Sequence, residues 1–333
     1  MPLQLLERID ARFAAGNAQE ALERACPGRV ILDLGAIDLR QTMWSLPVVD
    51  AFRARFPGAV FEARGPDPQR ALVAAHLPDS PRTHPALTRP IVIVSFSPHP
   101  ASRVRVHEAQ GTLDLVLPRA LLGTRAGHEC VRCVEPAQAL GLDPSPLAPS
   151  LQLPSWRRRE GRALARSLTR RAGGPLVALL PGGDATDCWK TEHFRAAALE
   201  LQGRIGGVAL QWGGDAPIDR SIRLVERQHP CVLAALLSQC AVCIADDNGW
   251  AHVAAAVDAP IITVHGATDP DVSGPVSRWS AAVWTTEGEC ESCENSTGKR
   301  RCLRCLAPGP VTDIAEKLAA ERWPWDRLAR WLP

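Results

Sequence analysis

Lysine is nearly missing from this chain. Only Lys190, Lys299 and Lys317 occur among 38 basic residues, and the rest are arginine. With 29 prolines and abundant alanine, that imbalance reads as GC-rich coding bias. An excess of either charge is also missing. The formal net charge is +2, which excludes a global field of the kind that gathers nucleic acid. Long apolar runs are absent, and no segment approaches the ~20 residues needed to cross a bilayer. A signal peptide is not expected either. Glu7, Arg8, Asp10 and Arg12 stand where an apolar stretch should be. No repeat recurs at a period of about 20–50 residues. Apolar residues make up 46% and charged residues 22%, which excludes a disordered chain. These absences predict a cytoplasmic globular protein. Its eleven cysteines then act as free thiols or metal ligands more readily than as disulfides.

The 333 residues suit about two domains. Leu3, Leu6, Ile9 and Phe13 have the spacing of an amphipathic first helix. Strands are expected at 29–34, 60–63 and 91–97, with another at 113–117, and a helix from Trp44 to Phe56. This alternation predicts an α/β domain with a parallel sheet. Pro144, Pro146, Pro149 and Pro154 mark a linker. A basic helix follows, with Arg158, Arg162, Arg166 and Arg170 on one ridge. The ridge suits either an anionic partner or a solvated face.

A second α/β unit starts at Pro175. Strands at 176–180, 207–212, 241–245 and 260–264 run into turns bearing Gly182-Gly183, Gly213-Gly214-Asp215, Asp247-Asn248-Gly249 and Gly266. Ligands of open α/β sheets bind at that edge. The richest turn is 246–252. There a strand stops, Asn248 or Asp247 caps a helix, and His252 falls in the first turn. Free amides and the helix dipole favour an anion at such a place. The same residues also read as a plain capped helix with a satisfied histidine. The Pro181-Gly182-Gly183 turn lets a polar ligand approach, with Asp187 and Lys190 nearby, but it lacks the Walker A spacing.

The segment from about Leu179 to Val311 resembles glycosyltransferase family 9, the heptosyltransferases. Trp189 and Phe194 stand at the family's spacing after the Pro-Gly turn, and Gly213-Gly214 ends a strand as there. Asp247-Asn248-Gly249-Trp250-Ala251-His252 matches its Asp-Ser-Gly-x-x-His, and Thr268-Asp269-Pro270 its Thr-Asp-Pro. The resemblance implies the GT-B arrangement, two Rossmann-like domains facing across a cleft. It implies inverting, metal-free transfer from an ADP-heptose-like nucleotide sugar to a hydroxyl of a lipopolysaccharide core or a protein. Gly182, Gly183, Lys190, Asp215, Asp247, Asn248, Gly249 and His252 would hold the donor. Asp215 serves the ribose hydroxyls or simply starts a helix. Asp38 stands by position for the family's catalytic base, with a turn or cap aspartate as its other reading. Two departures fall on these elements. The Gly of the family's Gly-Asp is missing before Asp38, and Asp187 occupies the place of its phosphate-binding Lys. A catalytically degenerate relative, acting as a metal-binding assembly or interaction module, is therefore the alternative.

Cys290-x2-Cys293-x8-Cys302-x2-Cys305 has the form of two thiolate knuckles, the pattern of a structural zinc or iron site. The protein O-heptosyltransferase subgroup is similar here, since it carries a four-cysteine iron finger. Cys240 and Cys243 begin an apolar strand and read as core, whereas Cys130 and Cys133 remain open. The expected organisation is an acceptor-side domain over 1–155, basic helix and linker over 156–174, and a donor domain over 175–320 with the finger at 290–305. A final helix over 321–333 would pack back on the first domain. Peripheral contact with the inner membrane and self-association are further expectations, and no nucleic-acid partner is expected.

Overall fold

The structure is a computed structural model. It describes residues 19–20, 22, 27–77, 91–96, 101–108, 111–118, 128–170, 173–182, 188–213, 216–225, 228–266, 268–284, 303 and 306–322. The chain divides into two compact units, Met1–Gln152 and Leu153–Pro333. The expected helices at 3–13 and 321–333 lie outside the described residues, apart from 321–322, which end an earlier helix.

The first unit contains β1 (Arg29–Asp33), α1 (Leu39–Arg55), β2 (Val60–Arg64), α2 (Gln69–His76), β3 (Ile91–Ser95), β4 (Ala101–Glu108), β5 (Gly111–Pro118) and α3 (Glu129–Ala139). Its sheet order is β2-β1-β3-β4-β5. Strands β1, β2 and β3 pair in parallel, as the alternation of strands and helices predicts. The rest corrects that expectation. β4 pairs antiparallel with both β3 and β5. Only residues 109–110 separate β4 from β5, and so short a link permits a hairpin but no crossover. Helix α1 passes through Pro47, which lacks the N–H a helix interior uses. Its N-terminus is well determined, because Asp38 and Gln41 form a reciprocal capping box. Below it, His76 Nε2 lies 3.0 Å from Asp50 Oδ1, and its Nδ1 accepts the Gln152 N–H.

The second unit contains α4 (Ser155–Thr169), β6 (Leu176–Leu180), α5 (Thr191–Ile205), β7 (Val208–Gln211), β8 (Arg223–Leu224), α6 (Pro230–Leu237), β9 (Val242–Asp246), α7 (Gly249–Ala256), β10 (Ile261–His265), α8 (Pro270–Ser273), β11 (Ser280–Trp284) and α9 (Pro308–Arg322). Its six strands run in the order β11-β10-β9-β6-β7-β8. All are parallel. Strands β6, β9 and β10 are buried along their whole length, which is why they read as unbroken apolar runs. Phe194, Leu201 and Val311 line one core, and Leu233, Leu236 and Ala254 the other.

Helix α4 belongs to this unit and packs on α6. Gly161 makes that approach close, since a Cβ there would fall 2.5 Å from the Ala235 Cβ. The described residues include no helix long and apolar enough to cross a membrane.

Candidate functional site

The order in which the second sheet adds strands reverses between β6 and β9. From β6 the strands step to β7 and β8, then return to β9 on the other side of β6. Loops leaving two strands at such a switch point diverge and open a crevice at their C-terminal ends. Here the loops are Pro181-Gly182 after β6 and Asp246-Asp247-Asn248 after β9.

Asp246 joins them. Its Oδ2 accepts the Gly182 N–H at 2.6 Å and its Oδ1 accepts the Trp189 N–H at 2.8 Å. One carboxylate thus fixes both ends of the loop between β6 and α5. Gly182 is needed for this approach. A Cβ on it would meet Cys188 Sγ at 3.0 Å and Asp246 Oδ2 at 3.1 Å. Burial pushes the Asp246 carboxyl up to about 6. The Gly182 and Trp189 N–H groups and the Cys188 thiol pull it back in part, and the neighbouring Asp247 charge adds to the rise.

Asn248 works in two directions. Its Oδ1 accepts the Trp250 and Ala251 N–H groups at 2.9 and 3.3 Å. Its Nδ2 donates to the Leu180 carbonyl at 2.8 Å. The side chain therefore caps α7 and ties it to the end of β6. Two of the amides that a bare helix N-terminus would offer an anion already have this partner. The helix dipole still points to the crevice.

Gly249 is the first residue of α7 and His252 lies buried in its first turn. Asp247 is nearly buried, with Oδ2 3.8 Å from His265 Nδ1. Lys190 is exposed at the N-cap of α5, directly after Trp189. Trp189 is core rather than site. Its ring packs edge-on against Phe194, and its Nε1 donates to the Leu306 carbonyl at 2.8 Å. Gly183, Asp187 and Asp215 lie outside the described residues, as do Cys290, Cys293, Cys302 and Cys305. Among the described residues no cluster of three or more potential ligands could hold a metal.

In the first unit, Asp38 is exposed and its Oδ1 accepts the Gln41 N–H at 2.7 Å. Its carboxylate is thus an N-cap, whatever else it does.

Three residues of the second unit carry roles that the sequence left unassigned. Asp246 is one. Gln211 is another: buried at the end of β7, it donates to the Gly213 and Ala216 carbonyls and accepts the Ile218 N–H. His265 is the third. It is fully buried, with Nε2 2.8 Å from Thr263 Oγ1 and Nδ1 3.1 Å from Thr268 Oγ1. Each is a polar residue ending an apolar strand, and that position was the available signal.

The model of glycosyltransferase family 9 (heptosyltransferase) matches residues 136–303, half of the chain. The chain belongs to glycosyltransferase family 9. Among its relatives is lipopolysaccharide heptosyltransferase 1 of Pseudomonas aeruginosa, 29% identical over 135 residues. That match covers 38% of this chain and spans only 38% of the relative's length. Two solved structures share the fold. A glycosyltransferase family 9 protein from Veillonella parvula superposes with TM-score 0.63 at 15% identity, over 88% of this chain and 97% of that one. An ADP-heptose lipopolysaccharide heptosyltransferase II from E. coli superposes with TM-score 0.60 at 16% identity, over 88% and 99%. The family 9 match takes in the whole crevice, from Gly182 to His265.

Proposed function

We propose that the chain is a heptosyltransferase-like enzyme that transfers a sugar from an ADP-heptose-like donor to a hydroxyl group of a lipopolysaccharide core. The observation that carries this reading is the position of the Gly182–Asp246–Asn248 junction at the switch point of a family 9 domain. The donor name comes from the E. coli relative of known structure, and the acceptor from the Pseudomonas relative.

In the proposed reaction the acceptor oxygen bonds to the anomeric carbon as the bond from that carbon to the diphosphate breaks. The acceptor proton passes to a carboxylate, assigned to Asp38. The nucleoside diphosphate leaves as an anion from the face opposite the attack, so the configuration inverts. Lys190 and the N-terminal dipole of α7 oppose its growing charge without a metal. His252 adds a hydrogen-bond donor to the diphosphate, Asp247 helps hold the donor, and Asp215 orients the ribose. The cysteine quartet has the donor chemistry of a tetrahedral zinc or iron site and serves structure.

A thermal-shift series with ADP-heptose and other nucleotide sugars, paired with an assay of ADP release, tests the reading. ADP-heptose is expected to raise Tm, and ADP release is expected to require a truncated lipopolysaccharide. A Tm rise without turnover would favour the degenerate alternative, and no rise with any nucleotide sugar would overturn the transferase reading.

A further inference from the structure

Helix α4 is built against its own electrostatics. It has no side-chain N-cap, no acidic residue in its first turn, and Arg157, Arg158 and Arg159 where the helix dipole is positive. Arg158, Arg162, Arg166 and Arg170 then repeat at four-residue spacing, so each repels the next. These features destabilise the helix, and burial of Gly161 and Ala165 against α6 holds it in place.

The charge is also sorted. At about 100° per residue, Arg158, Arg159, Arg162, Arg166 and Arg170 fall within one sector about 120° wide, beside the buried Gly161–Ala165 seam. All five are exposed, and among the described residues none of them makes an ion pair. The helix's one acid, Glu160, lies on the opposite flank and pairs with Arg157 at 2.9 Å. Trp156 stands at the same end, 47% exposed, with the Arg157 guanidinium 4.0 Å over its ring. Helix α4 is thus about 22 Å long and carries an unneutralised basic flank with an amphipathic aromatic at one end.

We propose that this flank docks the protein onto an anionic phospholipid bilayer surface. A bilayer suits it better than a discrete ligand. The arginines form a long, exposed row on a convex helix surface, and a plane of phosphates meets such a row along its whole length. Trp156 matches the interface, where indole rings settle. Guanidinium groups hold phosphate oxygens bidentately. With a net charge of only +2, the chain as a whole supplies little attraction, so the effect is local to α4. The inference is independent of the proposed transfer reaction.

The test is co-sedimentation of the full chain with vesicles at about 0.1 M salt. One set is phosphatidylcholine alone, and in the other about a third is phosphatidylglycerol. Binding is expected only to the second and is expected to weaken steeply with salt. Each arginine near the surface is worth about fivefold. The triple variant Arg158→Gln, Arg162→Gln, Arg166→Gln should therefore bind on the order of 100-fold more weakly. A control triple, Arg55→Gln, Arg70→Gln, Arg278→Gln, makes the same change in net charge and should lose little. The ridge variant should melt no lower than the parent, because repulsion is relieved, and this separates lost docking from lost folding. Equal losses in the two triples, or no preference for phosphatidylglycerol, would overturn the proposal. So would ridge-dependent retention of a single-stranded oligonucleotide without vesicle binding.

Discussion

The carboxylate of Asp246 accepts the Gly182 N–H at 2.6 Å, joining the C-terminal ends of β9 and β6 at the switch point. Its other oxygen holds Trp189, so the loop between them is closed by one side chain. Asp246→Asn keeps the shape but turns an N–H donor toward one of those two N–H groups. The variant should bind the donor at least tenfold more weakly while remaining folded, the lost charge-assisted bond being worth about 1.5–3 kcal/mol. Calorimetric titration with ADP-heptose or ADP reads this. Unchanged affinity would mean that the loop does not shape the donor site.

The same carboxyl imposes a pH dependence. Its folded value is about 6 against a reference of 3.8, so the folded state binds this proton more tightly than the unfolded chain. Asp246 therefore contributes stability that is full below the unfolded value and is lost as pH rises through about 6. The difference in unfolding free energy between parent and Asp246→Asn should shift in the parent's favour by about 2 kcal/mol from pH 7 to pH 4. Asp50 runs the other way. Burial raises its carboxyl, but the His76 hydrogen bond and the charges of His76 and Arg53 outweigh that and leave it lowered. Its stabilisation is present above the usual carboxylate range and fades on acidification, so an Asp50→Asn background isolates the Asp246 effect. Denaturant melts across this range check both signs.

Strands β6, β9 and β10 were legible because they are buried throughout and follow one another with glycine-bearing turns. Strand β4 is less visible in the sequence. Its Val104 and Val106 alternate with Arg103 and Arg105, a period-two pattern that an eye set for apolar runs passes over. Helix α9 was hidden by Pro308, Gly309 and Pro310 at its start, where proline is tolerated because its N–H would have no partner. Asn248 was legible as a cap, but its bond to the Leu180 carbonyl was not, since strand order alone brings β6 beside β9. Asp246 was obscured for the same reason. Its partners lie 64 and 57 residues away in sequence.

The two-way bonding of Asn248 makes its substitutions separable. Asn248→Ala loses the cap and the tie to Leu180, and should cost about 1–2 kcal/mol for the cap alone. Asn248→Ser, the residue in the family signature, restores a capping oxygen but cannot reach as an amide does, so it should recover most but not all of that loss. Equal stability of the Ala and Ser variants would show that the cap contributes nothing.

The thiolates of Cys290, Cys293, Cys302 and Cys305 should bind one zinc or iron per chain. Elemental analysis of protein purified without chelator checks this. Removal of the metal should lower Tm with little change in the rate per folded molecule, since the site is assigned to structure. Protein that contains neither metal would remove the assignment.

The observed cap at Asp38 and its proposed role as base are separable. As N-cap of α1 it accepts the Gln41 N–H, and Gln41 returns a bond to its backbone. Serine caps a helix as well as aspartate does but cannot take a proton from an acceptor hydroxyl. Asp38→Ser should therefore melt close to the parent while transfer falls about 100-fold or more, the lower range for a removed general base. Asp38→Ala should lose the same activity and about 1 kcal/mol of stability besides. If Asp38→Ser keeps full transfer, Asp38 is a cap alone, and the base must be sought on another carboxylate of the first unit.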